Sequence, residues 1–167
     1  SPTSLHPLGT ENGYQHLYLE GKGNAAANNT KFSWLGKEKY FTLTAVTEET
    51  DEVLLTRIGA NDPEFNLRRD AGFMLRRNNT KDTTFVSIVE AHGSYSPVSE
   101  LSLNSSSSIK NVALVYDNNK YTAVEITDVN NNKQLFILAN QQASSSAKHK
   151  VKINGKTYRW KGPYHYQ

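Results

Sequence analysis

Asn154 and Gly155 separate two short runs, VKI and KTYRW, in which apolar and polar side chains alternate. Both residues tolerate the positive φ of a type I′ turn, so the pair predicts a tight hairpin. The pattern recurs along the chain. Asp117-Asn118-Asn119-Lys120 divides NVALVY from YTAVEI, and Asn130-Asn131-Asn132 and Asn78-Asn79-Thr80 mark two further connections. β-Branched and aromatic residues dominate the runs between these turns. They predict strands at residues 16–20, 32–35, 40–47, 53–58, 73–77, 83–90, 98–103, 112–116, 121–127, 135–139, 150–153 and 157–161. No window of a dozen residues carries a helical stripe; residues 48–55 come nearest, and DEVLLTRI suits a strand better. Short strands joined by tight polar turns predict an all-β chain, an antiparallel β-sandwich of roughly ten to twelve strands.

Two details sharpen that expectation. TTFVSIVE, at residues 83–90, is apolar on both faces and so predicts a strand covered on two sides. Trp34, in FSWLG, is read as a core residue. The serine-rich stretches at 105–108 and 144–146 are read as loops. The chain of 167 residues accommodates one such domain over residues 13–167. SPTSLHPLGTEN, with Pro2, Pro7 and Gly9, is an extended lead-in over residues 1–12.

Composition excludes several chemistries. Without cysteine there are no disulfides, thiolate metal sites or cysteine nucleophile. The net charge is +3, from 19 basic and 16 acidic residues. The basic residues come in short groups, Arg68-Arg69, Arg76-Arg77 and Lys148 with Lys150 and Lys152, where a duplex binder concentrates them in a stripe. Nucleic acid is therefore not the expected partner, and an acidic polysaccharide or oligosaccharide fits the balance. No apolar run approaches the roughly 18 residues that read as a membrane helix. No signal peptide opens the chain, as expected of a cytosolic protein or of one whose N-terminus has been removed.

The residues that could carry chemistry form two groups. GANDPEFNLRRD, at residues 59–70, is a polar loop in which Pro63 holds Asp62 extended. The guanidiniums of Arg68 and Arg69 suit a carboxylate or sulfate, although pairing with Asp62, Glu64 or Asp70 is the plainer reading. The second group is Glu90, His92 and Tyr95 at a strand end, with Glu100 close behind. Glu90 and His92 alternate and share a face, so they can serve acid–base work or sugar hydroxyls. A Glu–His hydrogen bond that steadies the strand is the favoured reading. His6, His16, His92, His149 and His165 are too scattered for a metal site, and no GxSxG elbow or phosphate loop is present. Tyr158, Trp160 and Tyr164 could stack on sugar rings, but anchoring of the C-terminus is the expected role.

GYQHLYLEG at residues 13–21, FSWLGKEKYFTLTAV at 32–46, RIGANDPEFNLRRDAGFMLR at 57–76 and TFVSIVEAHGSY at 84–95 together resemble a bacterial enzyme group. They are similar to the C-terminal part of heparinase II/III-like polysaccharide lyases, and most of all to the oligoalginate lyases. GANDPEFNLR and VEAHG are the most specific elements. The resemblance implies an N-terminal (α/α) toroid followed by a large antiparallel β region, periplasmic or secreted. It implies β-elimination of alginate-type uronic-acid polymers by a tyrosine with histidine and asparagine partners. Those proton-transfer residues, and the zinc ligands of such enzymes, have no matching positions here. The expectation is thus a non-catalytic, cofactor-free β-sandwich domain that packs against an upstream toroid and first β region. Arg68, His92, Tyr95 and Glu100 are the residues expected nearest the substrate. An autonomous carbohydrate-binding module is the alternative, with Tyr158, Trp160 and Tyr164 as its platform.

Overall fold

A computed structural model describes residues 6–59 and 70–167. Arg68 and Arg69 lie outside the described residues, as does most of the 59–70 loop. The described chain holds fourteen strands and one short 3₁₀ turn, Tyr14–His16. All strand pairing is antiparallel, as the turn-punctuated alternation predicts. The strands divide between two compact units.

The first unit comprises Ser1–Ala27 and Glu48–Lys81. Its sheet has the order β1 (Leu17–Asn24), β4 (Glu52–Ile58), β5 (Asp70–Arg76). Tyr18, Leu54 and Thr56 are its buried residues on β1 and β4. The lead-in adds backbone bonds to β1, from Leu8 N–H to the Leu17 carbonyl and from Leu19 N–H to the His6 carbonyl. A buried ion pair closes this unit. Asp51, fully buried in the turn before β4, accepts from Nε and Nη2 of Arg77, which follows β5. The Glu48 N–H also donates to Asp51 Oδ2, at 3.0 Å.

The second unit comprises Asn28–Thr47 and Asp82–Gln167. One sheet has the order β2 (Asn28–Gly36), β3 (Lys39–Thr47), β6 (Ser87–His92). A two-stranded piece, β7 (Ser94–Ser96) with β8 (Leu101–Leu103), follows it. The largest sheet has the order β14 (Tyr164–Tyr166), β11 (Lys133–Ala139), β10 (Tyr121–Asp128), β9 (Ile109–Asp117). The final pair is the hairpin β12 (Lys148–Ile153) and β13 (Lys156–Lys161). Its turn has φ of 47° at Asn154 and 84° at Gly155, the left-handed pair that the sequence demands.

The core of this unit lies between the hairpin and the four-stranded sheet. Val151 and Ile153 from β12 pack with Ala123 and Ile137, and Tyr121, Tyr158 and Trp160 border the cluster. Two layers packed face to face make this part a sandwich. A second join ties the β2-β3-β6 sheet to β9. The Asn29 side chain donates from Nδ2 to the Val112 carbonyl at 2.8 Å and accepts the Val112 N–H at Oδ1 at 2.9 Å. Its amide thus reproduces, for one residue, the two-bond pairing of a neighbouring strand. The Lys31 ammonium adds a bond to the Ile109 carbonyl.

The structure corrects three sequence expectations. The strand placed at 83–90 begins at Ser87 and runs to His92. It is an edge strand, and Val89 is 56% exposed, because nothing in its unit pairs beyond it or covers that side of Val89. Residues 98–100 turn instead of extending, with Glu100 at φ 54°, which leaves only Leu101–Leu103 as strand. Trp34 is 42% exposed and stacks on Phe41, with centroids 5.6 Å apart and planes at 14°. It belongs to an outer face, not to the core.

Candidate functional site

Register places the β2-β3-β6 side chains on two faces. Leu35, Tyr40 and His92 form one cross-strand row, and Ser33, Thr42 and Glu90 the next on the same face. The segment from β7 to β9 bonds to this face at several points. Tyr40 Oη and Ser102 Oγ lie 2.6 Å apart. His92 is stacked parallel to Tyr40, with planes at 13°. Both imidazole nitrogens are occupied. Nδ1 lies 3.1 Å from the Asn104 carbonyl, which can only accept, so Nδ1 carries a proton. Nε2 lies 2.8 Å from Oγ1 of Thr42, itself buried, and that hydroxyl continues to Ser33 Oγ at 2.7 Å. In the neutral ring, Nε2 accepts the Thr42 proton while Thr42 accepts from Ser33. An imidazole so engaged holds strands together and has no nitrogen left for a substrate.

Glu90 shares that face with His92 but is not hydrogen-bonded to it. Its carboxylate accepts the Ser108 N–H at 3.1 Å and short bonds from the hydroxyls of Ser107 and Ser108. Burial pushes the Glu90 pKa up, but these hydrogen bonds outweigh it, and the group titrates below its ordinary value. The serine run, read from sequence as a plain loop, thus supplies the cap of a half-buried carboxylate. Tyr95 sits half-buried in β7, its N–H bonded to the Glu38 carbonyl. Glu100 is exposed in the turn before β8. No hydrogen bond or ion pair among the described residues joins Tyr95 or Glu100 to His92. The predicted group is therefore close in sequence without converging on one reacting position.

The opposite face of the same sheet is apolar. Trp34, Phe41 and Ala91 form one row, and Phe32, Leu43 and Val89 the next. With Trp34 and Val89 both exposed, this is a contiguous apolar patch of the kind that marks an interaction surface.

A third feature is a cavity of about 570 Å³ beside β9 and β10, lined in part by Asp82, Asp117, Asn118 and Asn140. Asp117 accepts from Thr84 and Thr122, both at 2.7 Å. Its lining carries two carboxylates, Asp82 and Asp117, and no lysine or arginine. Tyr158 and Trp160 face the core, with Trp160 Nε1 bonded to the Gly162 carbonyl, while Tyr164 is exposed. Of these three rings, Tyr158 and Trp160 thus border the core and Tyr164 does not join them. Among the described residues, no three His, Asp or Glu side chains are grouped to hold a metal.

Two relatives share almost the whole chain. The chain is 31% identical over 163 residues, 98% of its length, to an alginate lyase of Stenotrophomonas maltophilia. It is 30% identical over 158 residues, 93% of its length, to an exo-oligoalginate lyase of Saccharophagus degradans. The chain spans only about a fifth of the length of each, 22% and 21%. No family model matches it. The resemblance to oligoalginate lyases, seen in the loop sequences, is thus found along most of the chain.

Proposed function

We propose that this chain is the C-terminal β-sandwich domain of a heparinase II/III-like lyase that cleaves alginate-type uronic-acid oligosaccharides by β-elimination. One observation carries the reading: nearly all of the chain matches about a fifth of two alginate lyases. In this reading the proton-transfer residues and the (α/α) toroid belong to the rest of the parent. The domain is structural, needs no cofactor and lines the cleft at most. The reading places the parent in the periplasm or outside the cell.

The apolar patch centred on Trp34, Phe41 and Val89 supports this role, because a domain cut from a larger body leaves such a face uncovered. The occupied nitrogens of His92 support it too, since they leave that imidazole no free nitrogen for general-base work. The competing idea of an autonomous sugar-binding module loses its platform with Tyr158 and Trp160 turned inward.

The test is a chimera in which this chain replaces the matching segment of the Stenotrophomonas maltophilia enzyme. β-Elimination leaves an unsaturated uronate whose ultraviolet absorbance reports turnover. The chimera is expected to turn over alginate and the isolated chain to be inert. Trp34→Asp is expected to lower the yield and thermal stability of the chimera far more than those of the isolated chain. A folded but inactive chimera, or turnover by the isolated chain, overturns the reading.

A further inference from the structure

The hairpin β12–β13 has one face in the core and one in solvent. His149, Val151, Tyr158 and Trp160 point inward. Register puts three other pairs opposite one another on the outer face: Lys148 with Lys161, Lys150 with Arg159, and Lys152 with Thr157. All of these cations are exposed, and none forms an ion pair with a described residue. The hairpin contains no aspartate or glutamate.

This arrangement works against folding. Directly opposite residues in an antiparallel pair have Cβ atoms about 5 Å apart, and like charges so placed are destabilising. Alternate residues along a strand add a second spacing of about 7 Å. A sequence selected only to close this sandwich has no use for two such pairs. Elsewhere the chain pairs its cross-strand charges with opposite ones: Arg57 with Glu20, Arg76 with Glu52, and Lys133 with Glu125. The hairpin departs from that practice on its outer face, and its packed inner face fixes the register of the residues that carry the cations.

We infer that the outer face of β12–β13 is a binding surface for a linear acidic polysaccharide. A polyuronate carries one carboxylate on every ring. It can therefore lie across a flat ladder of cations and meet several of them, each contact weak and the sum appreciable. The surface is dominated by lysine, whose ammoniums act as point charges and do not require the fork geometry that arginine gives to phosphate. It also has no exposed ring in the described hairpin face for stacking a base, which favours a sugar acid over single-stranded nucleic acid. The choice of uronate as the acid rests on the function proposed above. In the parent, such a face would keep a cleaved chain close to the enzyme.

The experiment is calorimetric titration of the 167-residue chain with an oligomannuronate, a neutral oligosaccharide of the same length and a short DNA duplex. The chain and two variants are compared, Lys150→Ala/Arg159→Ala on the ladder and Lys110→Ala as a control. Lys110 is on β9 and bonds to Asn131 Oδ1. The ladder variant removes repulsion, so its melting temperature should not fall. Oligomannuronate is expected to bind with an affinity that drops steeply with salt, the neutral sugar not to bind, and the ladder variant to lose at least tenfold. Lys110→Ala should bind as the parent chain does. Unchanged affinity in the ladder variant, absence of oligomannuronate binding, or tighter binding to DNA overturns the inference. None of those three results touches the lyase reading, which stands or falls on turnover by the chimera.

Discussion

Asp51 has no exposure to solvent, and two nitrogens of Arg77, Nε and Nη2, each reach one of its carboxylate oxygens at 2.7 Å. A bidentate fork of this kind is among the stronger charge-assisted arrangements, and it joins the turn before β4 to the residue after β5. Hydrogen bonds from Arg77 hold the Asp51 carboxyl below its ordinary range despite burial. Next to it, Lys22, Arg76 and Asn78 bring Glu52 down to about 2.

Acid stability follows from these two carboxylates. Their folded pKa values lie below the unfolded ones, so their stabilisation is complete above the ordinary carboxylate range. It is lost as pH falls from about 4 towards about 2. Thermal melts across that window should show the first unit weakening as pH drops. Asp51→Asn should flatten part of the slope. At neutral pH, Arg77→Leu leaves a buried charge without its partner and should cost about 3 kcal/mol. A melt insensitive to Arg77→Leu would show that the pair is not a structural tie.

Gly93 sets a different constraint. It links β6 to β7 at φ 54°, and a Cβ there would collide with the backbone carbonyl oxygens of Leu103 and Asn104. Backbone on that side cannot yield as a flexible side chain can. Gly93→Ala should therefore cost more than about 3 kcal/mol or abolish soluble expression. Gly23, on β1, has nothing within 4 Å of a built Cβ, and Gly23→Ala should leave the melting temperature nearly unchanged.

His92 can be read directly by its tautomer. Nitrogen-detected NMR of the neutral ring should show the proton on Nδ1, facing the Asn104 carbonyl. Thr42→Val removes the partner of Nε2 in a buried position and should cost about 1–3 kcal/mol. A proton found on Nε2 in the neutral ring would overturn this hydrogen-bond assignment.

The sequence made the fold legible where the signal was local. Asn154 and Gly155 announce their own turn, and the alternation of His149, Val151 and Ile153 against Lys148, Lys150 and Lys152 announces two faces. Coverage is not local. Trp34 and Val89 have the pattern of core residues, but whether a layer lies over them depends on elements that no strand period encodes. The site residues were hidden for the same reason. Strand alternation put Glu90 and His92 on one face correctly, while their partners Asn104, Ser107 and Ser108 come from a segment 12 to 18 residues later. The serines there carried no pattern beyond polarity. Of the four runs that pointed beyond fold to kinship, VEAHG and GANDPEFNLR were the most specific elements, and the second falls mostly outside the described residues.

The Asn29 amide that stands in for a strand has a consequence for the order of events during folding. Its two bonds to Val112 span 83 residues of chain. The intervening hairpins close over far shorter loops, at a smaller entropy cost, and so form ahead of it. The amide then acts as a late latch, engaging once β2 and β9 have already been brought together. Asn29→Ala should accelerate unfolding in stopped-flow traces and leave the refolding rate where it was, a φ-value near zero. The residue would thus lengthen the lifetime of the folded state without shortening the search for it.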